Sequence, residues 1–526
     1  MLWKLDSVSI RLSGIRSIFR VLILFGLTLF LAGGCVKDAL GPLSLEDIEW
    51  EESESDFRYF AILVNGKEYP ATGAYKKEIS VFVPVGTKLT NLVAVFRHEA
   101  SYVTVDGVDQ ESGVSRNDFS DYKNGLKYRL EFDDGSTNTY TVRVLDTKLP
   151  VLAVTTENGV RITNRETWRN AKMVIRTPDG RLSGLGSAQI RGRGNWTWEK
   201  YPKKPYNFKL GTAQAVLGMP AHKRWVLLAG YQGFIGNALA FEISRRAPTI
   251  DWAPRGQFVE LVLNGKFQGL YYLCEHIKID ENRVSITKLK KTDISYPEVS
   301  GGYLLEYDQL YDDPFKFYSS HFNLPVQLKT PKDSVKDEQF TYIRNFINDM
   351  EAELLKIGTS SESHYADYLD VDNFAEYWMV LETVNNYEAY KPRSVKFYKG
   401  RDGVDSPAGT VCKLKAGPLW DQEWFLVDHV FNSKDMYYYK YLFKDPAFVR
   451  TVKERWPAFK SNILGNDRYI SILDYMNGFV KEISVSAARD IDYWNDPNFT
   501  LEDEVNRVRK GFVSKINWMD QQINAL

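Results

Sequence analysis

Apolar residues change their spacing along this chain, and that change limits the folds open to it. Between Phe57 and Leu145 they recur at every second position. Val81 goes with Val83, Val93 with Val95, and Tyr140, Val142 and Val144 follow the turn Asp133-Asp134-Gly135-Ser136. Alternate side chains of a strand face the same way, so this is the pattern of half-buried strands. Short strands, Gly/Asp/Asn turns and no helical period predict a small β-sandwich over residues 57–147, read here as a spacer. Beyond the boundary at Asp146–Pro150 strands alternate with helices. Ile235, Ala238, Leu239 and Ile243 share a helical face, and Asn264-Gly265 predicts a tight hairpin. After Asp372 the helical period dominates. Phe374, Tyr377, Trp378 and Leu381 form one stripe, and Ile472, Tyr475, Met476, Phe479, Val480 and Ile483 a longer one. Val505, Val508, Phe512, Ile516 and Met519 follow Thr500, with Asp503 as its capping partner.

Ahead of these regions lies a targeting pattern. Lys4, Arg11, Arg16 and Arg20 precede an apolar run from Val21 to Ala32, then Gly33-Gly34-Cys35. The run is too short for a comfortable permanent span and reads as an export signal. Small residues directly before a cysteine resemble a bacterial lipobox, although Leu31 sits one place early and Ala32 holds its usual position. That resemblance implies cleavage, a lipid on Cys35, and anchoring in a bilayer on the periplasmic side or cell surface. An ordinary secretory signal is the alternative. Residues 1–35 are therefore set apart, and the acidic stretch 36–56 reads as a tether.

A net charge of −1 gives no global attraction to nucleic acid, which is excluded as a favoured partner. Six scattered histidines form no H-E-x-x-H or Cys/His cluster, and neither G-x-S-x-G nor a Walker A sequence occurs. Beyond Cys35 only Cys274 and Cys412 remain, either bridged or both buried and free.

The chemistry-bearing residues fall in ordered blocks. They are I-R-G-R-G-N at 190–195, K-K-P-Y-N-F-K at 203–209, R-W-V-L-L-A at 224–229, R-G-Q-F-V-E-L-V-L-N-G at 255–265, E-H-I-K-I-D-E-N-R-V at 275–284 and G-P-L-W-D-Q-E-W at 417–424. Gly192 and Gly194 permit close approach of backbone to a ligand. Arg191, Arg193, Lys203, Lys204 and Lys209 supply positive charge. Arg191 and Arg193 share strand parity, as do Lys203 and Lys209, with Lys204 facing the other way. Asp421 and Glu423 lie two apart, so an extended strand would turn both carboxylates toward one metal ion. Glu382-Thr-Val-Asn-Asn386-Tyr-Glu388 closes a predicted helix, where Asn385-Asn386 also suits a cap.

In this order the blocks resemble the CotH kinase family, from roughly Leu149 to the C-terminus. The resemblance implies a multidomain chain: an all-β, Ig-like sandwich followed by an α+β atypical-kinase-like domain over residues 148–526, with a helical C-terminal portion. The sandwich is similar to modules that precede other domains in surface lipoproteins of the Bacteroidetes. Implied with it are Mg²⁺ and ATP as cofactors and phosphoryl transfer to a protein serine or threonine. On the family pattern Asp421 binds metal, and Glu423 replaces a second aspartate. Glu388 stands where the catalytic base of an N-x-D sequence belongs, after Asn386. Arg191, Arg193, Lys204 and Lys209 would contact phosphates, and Glu275 would pair with one of the lysines. Gly236 replaces an arginine found in relatives. Glutamate keeps the charge of aspartate but adds a methylene, so transfer that is weakened or lost fits the same pattern. The rival reading is a non-catalytic surface adhesin or a carbohydrate-binding lipoprotein, since paired carboxylates with 31 Tyr and 29 Phe also suit sugars.

Overall fold

The computed structural model describes residues 55–75, 77–230, 233–422, 433–494 and 500–526; Cys35, the export signal and Glu423 lie outside the described residues. The described residues belong to one compact unit.

Nine strands come first: β1 (Phe57–Val64), β2 (Lys67–Tyr75), β3 (Glu78–Pro84), β4 (Leu92–His98), β5 (Tyr102–Val105), β6 (Val108–Asp109), β7 (Arg116–Asn117), β8 (Leu126–Glu131) and β9 (Thr137–Thr147). They form one ladder in the order β6-β5-β8-β9-β3-β2-β1-β4-β7. β2 is the joint. Its first half pairs with β1 and its second with β3, with a register shift between Ala71 and Gly73. The ladder folds over there, so strands far apart in it share a core: Phe60 of β1 meets Tyr128 of β8 edge-on at 5.3 Å. The alternation read from the sequence thus becomes an all-β region, with a parallel β3–β9 pair inside it.

Seven further strands close into a barrel. They are β10 (Val151–Thr156), β11 (Arg169–Arg176), β12 (Leu182–Gly192), β13 (Tyr206–Val216), β14 (Met219–Leu228), β15 (Gly256–Leu263) and β16 (Lys266–Glu275). Closure comes from parallel pairing of β10 with β15, and the order is β10-β11-β12-β13-β14-β16-β15. Ile190, Phe208, Trp225, Leu227 and Leu273 fill the interior. Their alternates Arg191, Lys209 and Arg224 therefore face outward. Asn264 and Gly265 adopt φ 50° and 73°, the two left-handed residues that a tight hairpin turn between β15 and β16 requires. Helix α1 (Trp196–Lys200) lies between β12 and β13, and α2 (Gly236–Arg245) between β14 and β15.

A third sheet runs β18-β19-β17-β20-β21, from β17 (Tyr303–Tyr307), β18 (Lys316–Tyr318), β19 (Pro325–Thr330), β20 (Val395–Lys399) and β21 (Lys415–Ala416). Helices α3 (Asp337–Lys356) and α4 (Val371–Val384) intervene before β20. Helices α5 (Tyr439–Leu442), α6 (Pro446–Leu464), α7 (Ile472–Trp494) and α8 (Leu501–Ala525) follow the sheet. The stripes read from the sequence lie on α4, α7 and α8, and all three feed one core shared with the sheet and one outer flank of the barrel. Thr500 caps α8 by accepting the Asp503 N–H at 3.0 Å.

The first nine strands are more than a spacer. Phe82 and Leu145 are buried in a common cluster with Val151, Ala153, Val262 and Phe267 of the barrel. Arg489 of α7 pairs with Asp146 at 2.8 Å and with the fully buried Glu260 at 3.0 Å. Cys274 and Cys412 are both buried and free. No described helix is long and apolar enough to cross a membrane.

Candidate functional site

Asp421 does not occupy an extended strand. Its φ is 64°, in the left-handed region, so the strand alternation expected from Asp421 to Glu423 breaks at its first residue. What holds this segment is tertiary. The Gln422 N–H donates to the side-chain oxygen of Asn237, on the first turn of α2, at 2.9 Å. Trp420 stacks on Phe241 of the same helix, with ring centroids 5.6 Å apart. The Asp421 carboxylate accepts from the Ser394 hydroxyl at 3.3 Å. Ser394 also has a left-handed backbone, φ 54°, and its N–H donates to Asp308 at 3.1 Å. Two carboxylates from separate segments, Asp308 and Asp421, thus meet at one serine. Burial pushes the Asp308 carboxyl up, against the two backbone N–H groups that it accepts.

The residues expected to hold the base sit beyond α4. Asn385 ends that helix with φ 49°, and Asn386 caps the following turn by accepting the Ala389 N–H at 3.2 Å. Both asparagines therefore have backbone-capping roles, the alternative already legible in the sequence. Glu388 lies in the turn Tyr387–Tyr390, and its side chain falls outside the described residues.

The expected phosphate contacts separate in space. β12 ends at Gly192, so Arg191 and Arg193 no longer share strand parity. Arg191 lies over Trp168 at 4.5 Å, with Arg224 over the same ring at 4.9 Å. Arg193 lies over Trp420 at 5.5 Å, beside Asp421. Lys204 turns away, donating to the Trp198 carbonyl. Lys203 is buried against Asp490 of α7 at 2.6 Å. Lys209 stands on the outer barrel face directly opposite Arg224 in register. Glu275 does not pair with any of these lysines. Both of its oxygens accept from Arg255, each at 2.9 Å, and it is fully buried. The bidentate arginine thus takes the place of the expected lysine as its ion-pair partner.

Positions outside the expected set join the site. Lys278, on the segment after β16, has Arg224, Lys332, Lys329 and Arg191 as electrostatic neighbours; burial first, then these cations, lowers its ammonium to about 8. Lys329 pairs with Glu306 at 2.7 Å, and Lys396 holds the same carboxylate from β20. Although burial opposes it, these two lysines hold the Glu306 carboxyl down to about 2. His276 is kept neutral, its pKa well below normal through desolvation of the ring, then Lys278, Arg283 and Arg193. The residues form a circuit joined partly by contact and partly only through charge. Arg193 lies over Trp420, next to Asp421, Asp421 and Asp308 both bond Ser394, and Lys329 pairs with Glu306. Asp308 with Glu306, Lys329 with Lys278, and Lys278 and Arg193 with His276 interact electrostatically. One arc carries carboxylates and the other carries cations. Lys278 and Arg224 stood in the quoted blocks, but Asp308 and Ser394 carried no motif that could single them out.

No curated protein sequence matches this chain. Among solved structures, a Bacteroides thetaiotaomicron protein provisionally described as a glycoside hydrolase is 15% identical. The match covers 53% of this chain and 67% of that one, with a TM-score of 0.18, and a likeness at that level carries no argument about fold or activity. The sequence pattern of the family described as CotH kinase protein matches residues 190–519, a span that starts in β12 with I-R-G-R-G-N, takes in every member of the circuit and ends in α8. This chain belongs to the CotH kinase protein family.

Proposed function

We propose that the protein is an exported lipoprotein, anchored through Cys35, whose cleft binds Mg²⁺-ATP and transfers its terminal phosphoryl group to a protein serine or threonine. The observation that carries this reading is that Asp308 and Asp421 both reach Ser394, with Arg193 over the adjoining Trp420. Hard carboxylate oxygens, few in number, fit an Mg²⁺ that brings phosphate oxygens as its other ligands. When bound, the ion would neutralise charge on the phosphates, with Asp421 and Asp308 as its protein ligands. Left-handed backbone at both Ser394 and Asp421 supports a functional role, because such strain collects at binding sites.

The protein's part in the reaction is placement and charge. Arg193, held over Trp420, faces the phosphates from the barrel side. Glu388 takes the acceptor hydroxyl proton as the new oxygen–phosphorus bond forms and the bond to the departing diphosphate breaks. The longer glutamate makes turnover slower than an aspartate would.

Calorimetric titration of the full chain with ATP, with and without Mg²⁺, tests the reading. Asp421→Ala should abolish Mg²⁺-dependent binding. Glu388→Gln should bind ATP normally and lose at least about a hundredfold in transfer of labelled phosphate. Cys35→Ser should move the chain from the membrane to the soluble fraction. Absence of nucleotide binding in the wild type would reject the reading, and binding without transfer would assign a non-catalytic surface protein.

A further inference from the structure

The segment after β16 leaves the barrel with its apolar side chains committed. Ile277 and Ile279 are buried with Val284, Leu304 and Tyr398, and Ile279 forms an isolated bridge with Val284. The Val284 N–H also holds the Lys278 carbonyl at 3.1 Å. Alternation then sends the Lys278 side chain away from the isoleucines, toward the cationic arc.

Among the described residues no carboxylate pairs with its ammonium and no acceptor takes a hydrogen bond from it. Lys329 and Lys332 are engaged by Glu306 and Asp313. The carboxylate on its own segment, Asp280, lies 3.6 Å from Lys288 and 4.0 Å from His222. Nearby, Arg191 and Asn207 face each other across β12 and β13. The Arg191 Nε and the Asn207 Oδ1 are both buried without a partner. A desolvated cation among cations, beside an unused guanidinium donor, is unfavourable on its own and is relieved by an anion.

We propose that Lys278, backed by Arg191 and Arg224, anchors the phosphates of the nucleotide in this cleft, an assignment that rests on the phosphoryl-transfer reading. A polyphosphate brings several negative charges to a place where the nearby carboxylates Glu306, Asp313 and Asp280 are engaged by other cations, and its oxygens accept from the ammonium and from the Arg191 Nε. Lys204, turned toward Trp198, leaves that task to Lys278.

The test uses the full chain, with inorganic tripolyphosphate and Mg²⁺-ATP as probes. Lys278→Met is expected to weaken tripolyphosphate binding at least about tenfold and to raise the unliganded melting temperature, because a lysine kept for a ligand burdens the empty fold. A purely structural lysine would lower that temperature when removed. Lys278→Arg should keep binding within about threefold, since the charge remains. Wild-type affinity should fall as pH rises through about 8, where the Lys278 ammonium loses its proton next to Arg224, Lys332, Lys329 and Arg191. The arginine variant, which stays charged, should not show that fall, and His276 is already neutral in this range. Unchanged tripolyphosphate affinity in Lys278→Met overturns the proposal, as does a pH profile shared by wild type and Lys278→Arg. Tripolyphosphate binding lost in Lys278→Met, with no phosphoryl transfer by the wild type, upholds the anion site and rejects the kinase reading. Transfer by the wild type with Lys278→Met binding unaltered does the reverse.

Discussion

Asp421, Glu275 and Glu504 are carboxylates of similar intrinsic acidity, and their surroundings give them different work. Glu275 is fully buried, with both oxygens engaged by Arg255. Among the described residues Asp421 accepts one side-chain hydrogen bond, from the Ser394 hydroxyl, and has further lone pairs to offer. Glu504 of α8 reaches under the start of α2, where it accepts the N–H groups of Phe234 and Ile235 at 3.0 and 3.2 Å. Burial outweighs those bonds and pushes its carboxyl up to about 7. Between the ordinary value of 4.5 and about 7, the folded chain holds a proton that the unfolded chain has released. That part of the stability is complete below 4.5 and is lost as pH rises through about 7. Glu504→Gln keeps an acceptor oxygen without the titration. It should flatten the decline between about pH 5 and 8, a difference on the order of 2–3 kcal/mol in urea-unfolding free energies measured across that range.

At the scale of elements, α4 shows how a local pattern and a local exception coexist. Its apolar stripe called for a helix, and Asp370 starts it by accepting the Asn373 N–H at 3.0 Å. It stops at Asn385 because asparagine tolerates the left-handed conformation that turns the chain toward Asn386 and Glu388. Asn385→Ala should therefore cost about 1–2 kcal/mol in chemical denaturation, while Asn385→Gly costs less, and the contrast between the two measures the conformational term. The stretch around Asp421 failed as a strand for a related reason. Two-residue spacing carries facing information only in extended backbone, and contacts with Asn237, Phe241 and Ser394 set another conformation there.

Over the whole molecule, the first nine strands, the barrel and the C-terminal helices are cross-braced at α7. Arg489 binds Glu260 of the barrel and Asp146 at the end of β9, and Asp490 binds Lys203 at the entry to β13. Glu260 has no exposure, so removing its partner leaves a buried, uncompensated charge. Arg489→Met should lose about 3–5 kcal/mol, and adding Glu260→Gln should restore a good part of it. Calorimetric melting of both variants checks the claim, and comparable losses in the single and double variants would contradict it. The shared cluster of Phe82, Leu145, Val151 and Phe267 makes the first nine strands part of this same cooperative body.

Local spacing by itself determined the order of strand-rich and helix-rich regions, the hairpin at Asn264-Gly265, the Thr500 cap and the buried helical face of Ala238, Leu239 and Ile243. Each of these depends on residues only a few positions apart. The ordered blocks also identified the family. Tertiary structure decided the rest. Closure of the barrel needs β10 beside β15, and the meeting of Asp308, Ser394 and Asp421, with Arg193 over Trp420, joins distant segments. Whether a charged side chain is a ligand, a brace or a cap follows from its partners in space. Lys203 became a brace and Lys204 a backbone contact, while Lys278 was left without a counter-charge among the described residues, because burial and long-range packing assign partners that no local pattern encodes.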